Sequence, residues 1–323
     1  MANLRSIKDR INSIKNTQKI TRAMKMVAAA KVKKAESAVK SSRPFTFELY
    51  KMFSWIYKET HNDICDKLKT KEAIDNYSAL LCEREIKTVG LVIISSNKGL
   101  AGAYCANIVR YSLNLIKQYL AEGKKVKVYL VGQKAQSAIK NAQKQLDFEI
   151  KQSYVNILDG INSSSAYIVA NNLARDYVDE TIDKIEVVTT KYKNMMSYQV
   201  QSWCLLPAII EDKEIQKYEN KELDEELKIE NNSSHIEPLS EFLPDAKTLL
   251  STIVPMYVTN VIYQALLEAQ ASELASRMTA MSSATNNAQD MISSLTIEYN
   301  KARQAKITQE LTEVISGAGA LKK

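Results

Sequence analysis

Apolar and small residues near the end of the chain recur on a heptad. One row reads Leu267, Leu274, Met281, Ala288, Leu295, Ala302, and a second reads Ala271, Met278, Thr285, Ile292, Tyr299. Two rows set three and four residues apart make the stripe of a coiled coil. Between Pro255 and Gly317 there is neither glycine nor proline, so nothing in the residue types stops a helix from Met256 onward. Roughly 60 residues at 1.5 Å each make about 90 Å of helix, too long for the interior of one small domain. The stripe therefore needs a partner.

The other end of the chain offers one. Residues Met1 to Arg43 also lack glycine and proline, and Leu4, Ile7, Ile11 and Ile14 open a helical stripe that Thr21, Met24 and Ala28 continue. The pattern predicts a helix from near Leu4 to about Ser42, broken or kinked where Ser41, Ser42 and Arg43 precede Pro44. Helical spacing resumes through Phe47, Tyr50, Met52, Phe53 and Ile56, an aromatic cluster suited to a core. The two terminal runs flank everything else. The simplest arrangement is an antiparallel pair with a globular insert; a dimeric coiled coil is the other reading of the same stripe.

The middle of the chain changes character. Every glycine except Gly317 and Gly319 lies between Gly90 and Gly160. Val89–Ile94 is a continuous apolar run, as in a strand buried on both faces. It leads through Ser95-Ser-Asn-Lys-Gly-Leu-Ala-Gly102 into a helical pattern from Ala103 to Leu120. A strand at Val126–Val131, a helix to about Lys144, a helix from Ser164 to Thr181, and strands at Ile185–Thr190 and Tyr198–Leu206 follow. Strands alternating with helices predict a mostly parallel α/β sheet. The fold class expected is thus α/β: a long antiparallel coiled coil of N- and C-terminal helices with an inserted, mostly parallel α/β domain. The boundaries expected are a coiled-coil helix over 1–60, an α/β domain over 61–210, an acidic insertion over 211–245 and a second coiled-coil helix over 246–323.

Charge is unevenly placed. The net charge is +7, yet residues 1–40 hold eleven Lys and Arg against Asp9 and Glu36, and residues 211–230 hold nine acids. A basic helix suits nucleic acid, an anionic membrane or an acidic protein surface, or is simply a solvated face. No aromatic residue precedes Phe45, which removes base stacking as a binding mode. No run of 18 uncharged apolar residues exists, and no apolar core follows the first charges as in a signal peptide. Cys65, Cys82, Cys105 and Cys204 are far apart and suggest a reducing compartment.

Candidate chemistry is sparse. The turn Ser95–Gly102 lacks both GxxxxGK[ST] and GxGxxG, so a tight strand-to-helix turn fits better than a phosphate cradle. His61 and His235 have no metal-like or triad-like spacing, and the acids of 211–230 sit on a polar segment without an apolar pocket to tune them. No cofactor is expected. The last residues, Lys301 to Leu321, are polar on one side and small or apolar at the tip, which calls for shelter by a partner.

Three segments carry a resemblance. Ile11-Asn-Ser-Ile-Lys-Asn-Thr-Gln-Lys-Ile-Thr-Arg-Ala-Met-Lys-Met-Val-Ala-Ala-Ala-Lys31 resembles the N-terminal helix of the gamma subunit of F-type ATP synthases. Glu273-Leu-Ala-Ser-Arg-Met-Thr-Ala-Met-Ser-Ser-Ala-Thr-Asn-Asn287 and Ile307-Thr-Gln-Glu-Leu-Thr-Glu313 are similar to that family's C-terminal helix, and Ser95–Gly102 to its strand-to-helix turn. The acidic stretch of 211–235 looks longer than the family's usual connection.

The resemblance implies a non-catalytic rotary shaft inside a ring of alpha and beta subunits, with the α/β domain bound to the epsilon subunit and the membrane rotor ring. It implies no nucleic-acid partner and no insertion into the membrane. It places Met24 beside the lever segment of beta and Arg277 in contact with beta. It places Arg303, Gln304, Thr308 and Glu310 against the inner loops of the ring. No transit peptide precedes the first helix, so the expected location is peripheral, on the cytoplasmic face of a bacterial inner membrane, ahead of the mitochondrial matrix side. A self-associating coiled coil and a nucleotide-binding regulator using the Gly99–Gly102 turn are the alternatives.

Overall fold

The computed structural model describes residues 4–60, 77–155, 157–208 and 246–320. Helix α1 is Leu4–Thr60, α2 Tyr77–Leu81, α3 Tyr104–Ala121, α4 Gln136–Gln143, α5 Ser163–Val178 and α6 Ala246–Ala320. The strands are β1 Thr88–Ile94, β2 Lys125–Val131, β3 Glu149–Tyr154, β4 Lys184–Asn194 and β5 Ser197–Leu206. The acidic stretch, both histidines and Cys65 lie outside the described residues. The chain divides into one unit of Met1–Val32, Leu100–Gly102 and Leu274–Lys323, and another of Lys33–Gly99 and Ala103–Glu273.

The larger unit is built on a five-stranded sheet in the order β3-β2-β1-β4-β5. Strands β1 to β4 are parallel and β5 returns antiparallel on β4. The apolar run of β1 is central, and Leu91, Val92, Ile93 and Ile94 are all buried. Strand β3 was not legible as a strand. It reads Glu-Ile-Lys-Gln-Ser-Tyr, pairs on one side only and buries just Tyr154, so it carries no apolar run. Helix α5 starts where its sequence caps it: the Ser165 amide donates to Asn162 Oδ1 at 2.7 Å, and the Asn162 amide donates to Ser165 Oγ at 3.1 Å.

Phe53, Ile56 and Tyr57 of α1 share one core with Val92 and Ile94 of β1, Leu173 and Tyr177 of α5, and Leu250, Val254, Val258 and Ile262 of α6. Rings of Phe53 and Tyr257 lie 4.8 Å apart between centroids. This core explains how both helices pass a proline. The expected break before Pro44 is absent, because α1 runs unbroken through it; α6 starts at Ala246 and carries Pro255 inside. An interior proline costs roughly 3 kcal/mol in an isolated helix. Here Thr46, Leu49, Tyr50 and Phe53 are buried after Pro44, and Val254, Val258 and Ile262 around Pro255. Each fully buried apolar side chain contributes about 1.5–3 kcal/mol, enough to hold the helix across the defect. Pro44 itself faces solvent, where water can satisfy the freed carbonyl.

In the smaller unit α1 and α6 run antiparallel. Ile7, Ile11 and Ile292 form a buried cluster with Ile14, Leu295, Tyr299 and Ala302 against it. The heptad rows are the observed seam: Met281, Ala288 and Ile292 are buried, and Leu274, Met278, Thr285, Leu295, Tyr299 and Ala302 half-buried.

Candidate interaction surface

Two polar contacts cross the apolar seam and fix its register. Thr21 Oγ1 lies 2.9 Å from Thr285 Oγ1, and Gln18 Nε2 donates to Gln289 Oε1 at 2.9 Å. Each step back along α1 is matched by a step forward along α6, so the start of α1 at Leu4 falls beside Ala302. Past that point α6 has no described partner helix. Residues 303–315 are exposed throughout.

Four of the six predicted contact residues sit on this single-helix overhang. Arg303, Gln304, Thr308 and Glu310 are all exposed, within about two turns of one another. Thr308 Oγ1 donates back to the Gln304 carbonyl at 3.0 Å, and Lys306 pairs with Glu310 at 3.5 Å. Such an exposed pair is worth little to stability. Met24 and Arg277 lie elsewhere, each half-buried along the paired part of the coil. The register sets Met24 near Ser282 and Arg277 near Ala29, more than a turn apart, so the structure does not join them into one patch.

The overhang also carries an apolar face beside the predicted contact residues. Ile307, Leu311, Val314 and Ile315 are between 48% and 70% exposed, at the spacing of one side of a helix. Ile20, Met26 and Val27 of α1 are similarly bare, at 57–62%. Their spacing was visible in the sequence, but only exposure separates an unpartnered face from a core face. Around them all eleven basic residues of 1–40 occupy exposed positions.

Elsewhere the polar chemistry is structural. Open parallel sheets bind ligands at the carboxyl ends of strands where the order reverses, here between β1 and β4. At that place the Tyr104 hydroxyl donates to the Ala269 carbonyl of α6 at 3.0 Å and meets Thr190 Oγ1 at 3.2 Å. The turn after β1 is bonded inward as well. Ser95 Oγ donates to the Val131 carbonyl at 3.1 Å, the Gln133 amide to Asn97 Oδ1 at 3.2 Å, and Ser276 Oγ to the Ala101 carbonyl at 2.7 Å. Burial raises the Tyr104 hydroxyl and the Cys105 thiol, which keeps both protonated and removes Cys105 as a ready nucleophile. Among the described residues no group of His, Cys, Asp and Glu could hold a metal ion. One window of α6 is apolar enough for a membrane span by length and composition, but 56% of it is buried within the fold.

Comparison with known proteins gives a consistent family. The family model described as ATP synthase matches residues 3–321. An ATP synthase gamma chain of Picosynechococcus sp. is 38% identical over 329 residues, covering 99% of this chain and 100% of the relative. One from Nostoc punctiforme is 37% identical with the same coverage. Among solved structures, a chain of the Tetrahymena thermophila mitochondrial ATP synthase central stalk and c-ring is 26% identical with a TM-score of 0.54, covering 82% of this chain and 99% of that one. A chain of the Euglena gracilis mitochondrial enzyme shares the fold at 19% identity and a TM-score of 0.61, covering 98% of this chain and 94% of that one.

Proposed function

The chain belongs to the ATP synthase gamma-chain family, and from that membership we propose that it is the central rotary shaft of an F-type ATP synthase. It couples proton-driven rotation of the membrane ring to successive conformational changes at catalytic sites on the beta subunits, and catalyses nothing itself. Residues 1–60 and 246–323 supply the shaft, 61–210 the foot that binds the epsilon subunit and the membrane ring, and 211–245 a connection between them. The chain itself is peripheral, on the cytoplasmic face of a bacterial inner membrane.

The observation that carries this reading is the bare end of α6. A single helix with every residue of 303–315 exposed and four large apolar side chains on it is unfinished without a surrounding protein. Arg303, Gln304, Thr308 and Glu310 then contact the inner loops of the alpha and beta ring, and Met24 and Arg277 contact beta along the paired coil. The exposed basic positions of α1 suit acidic lever segments, where complementary charge speeds docking more than it adds affinity.

The test is assembly. The purified chain mixed with alpha and beta subunits of a related synthase is expected to elute in a complex holding one copy, with ATP hydrolysis dependent on it. A homodimer of the chain alone, with no such complex, overturns the reading.

A further inference from the structure

Strand β4 outruns its neighbour, and what covers the excess joins the sheet to both long helices. Strand β1 pairs with β4 only as far as Val188, whereas β4 continues to Asn194. Backbone groups on that side of 189–194 need other partners, because an unpaired buried amide or carbonyl is costly. Helices α1 and α6 provide them. Arg43 Nη2 of α1 donates to the Tyr192 carbonyl at 2.9 Å. The Tyr192 amide donates to Glu268 Oε2 of α6 at 3.3 Å. Arg43 Nε closes the ring by donating to Glu268 Oε1 at 3.2 Å, and Gln264 Nε2 donates to the same oxygen at 3.1 Å. One residue of β4 is thus gripped at both ends of its backbone by a charged pair from two helices.

The rest of the contact between these helices and the sheet is apolar, drawn from the core already described. Apolar packing is non-directional and resists separation more than sliding. A guanidinium that bonds a carboxylate through Nε and a peptide carbonyl through Nη2 is directional, and resists a turn or a shift of its partners. The Glu268 side chain is 12% exposed and that of Arg43 28%, so water competes little for these bonds.

We infer that Arg43 and Glu268 are positioning residues that lock the sheet to both helices, so that a turning moment applied to the α/β unit reaches α1 and α6 together. The inference rests on the rotary-shaft reading. It concerns coupling and not hydrolysis: a loosened joint lets the catalytic ring turn over while less of its work reaches the membrane ring.

The experiment uses membrane vesicles containing the whole synthase with this chain as its gamma subunit, and measures ATP hydrolysis and ATP-driven proton uptake together. R43M/E268M replaces the pair by apolar side chains of similar length; because it strands the Tyr192 amide and carbonyl, a lower melting temperature of the chain is expected beside the change in coupling. Near-normal hydrolysis with proton uptake per ATP reduced by at least roughly 2-fold is expected. R43K, which keeps the charge but not the fork, should fall between. E268Q, which keeps the shape, gives the same comparison should the double variant not assemble. A merely structural role would lower the melting temperature of the chain and leave the ratio alone. Wild-type uptake per ATP in assembled E268Q and R43M/E268M vesicles overturns the inference. Absence of coupled activity with the unaltered chain overturns the shaft reading itself, and this inference with it.

Discussion

The hydroxyls of Thr21 and Thr285 meet at 2.9 Å across the coiled-coil seam, and each also reaches a carbonyl of its own helix. Thr21 can donate to Gln18 at 3.0 Å and Thr285 to Met281 at 2.7 Å, so only one hydrogen at a time can bridge the helices. The contact is therefore a register mark of modest strength. T285V alone is expected to lower stability by about 0.5–1.5 kcal/mol, and T21V/T285V by less than the sum of the two single losses, because both single changes remove the same shared contact. Denaturant melts of the two single variants and the double give the coupling energy directly.

The overhang of α6 is expected to matter only in the assembly. R303A/Q304A and I307S/L311S alter exposed side chains, so the isolated chain should melt within about 0.5 kcal/mol of the original. Complex formation or ATP synthesis should fall in both. Unchanged synthesis in R303A/Q304A would remove those two residues from the contact surface.

Salt should slow assembly. The exposed basic positions of α1 act at a distance, and at physiological ionic strength their reach shrinks to about 8 Å. Stopped-flow mixing with alpha and beta subunits should show an association rate that drops as salt rises. A flat profile would mean that charge does not guide the encounter.

Gly132 cannot be replaced without loss. Its φ is +97°, and a Cβ there would stand 2.8 Å from Ser95 Oγ and 3.1 Å from the carbonyl carbons of Ser95 and Ser96. Strain and contact together make G132A destabilising by roughly 1–3 kcal/mol, readable as a lower melting temperature.

Alkali should unfold the larger unit steeply. Burial raises the hydroxyls of Tyr104, Tyr119, Tyr129 and Tyr177 above the ordinary 10.0; for Tyr119 the Glu186 carboxylate that it donates to adds to the rise, as Asp176 does for Tyr129. A raised folded value means that the folded chain keeps protons the unfolded chain releases. Their contribution is complete below pH 10 and is lost as pH climbs beyond it, at about 1.4 kcal/mol per pH unit for each tyrosine. The part of the tyrosinate absorbance that belongs to these four buried hydroxyls should appear together with loss of helix, as a step whose midpoint coincides with unfolding.

How far the sequence revealed this depends on how local each signal is. The seam was legible because Leu267, Met281, Ala288 and Ile292 repeat within one helix. So was β1, whose apolar run has one reading between a polar start and a glycine-rich turn. Pro44 misled because its local penalty is overruled by the burial of Thr46, Leu49 and Phe53, a tertiary fact. Strand β3 was hidden by its edge position. The clamp at Tyr192 was out of reach, since Arg43 and Glu268 are 225 residues apart and neither stands in a motif.

The clamp grips the peptide group of Tyr192 and not its phenol ring. The clamp therefore does not itself select a tyrosine at 192, whose buried ring answers to its own packing, while Arg43 and Glu268 constrain each other. Across related chains the trace of such a joint would be two covarying positions on different helices beside a third whose changes follow the side chains around its ring and not the pair that holds its backbone.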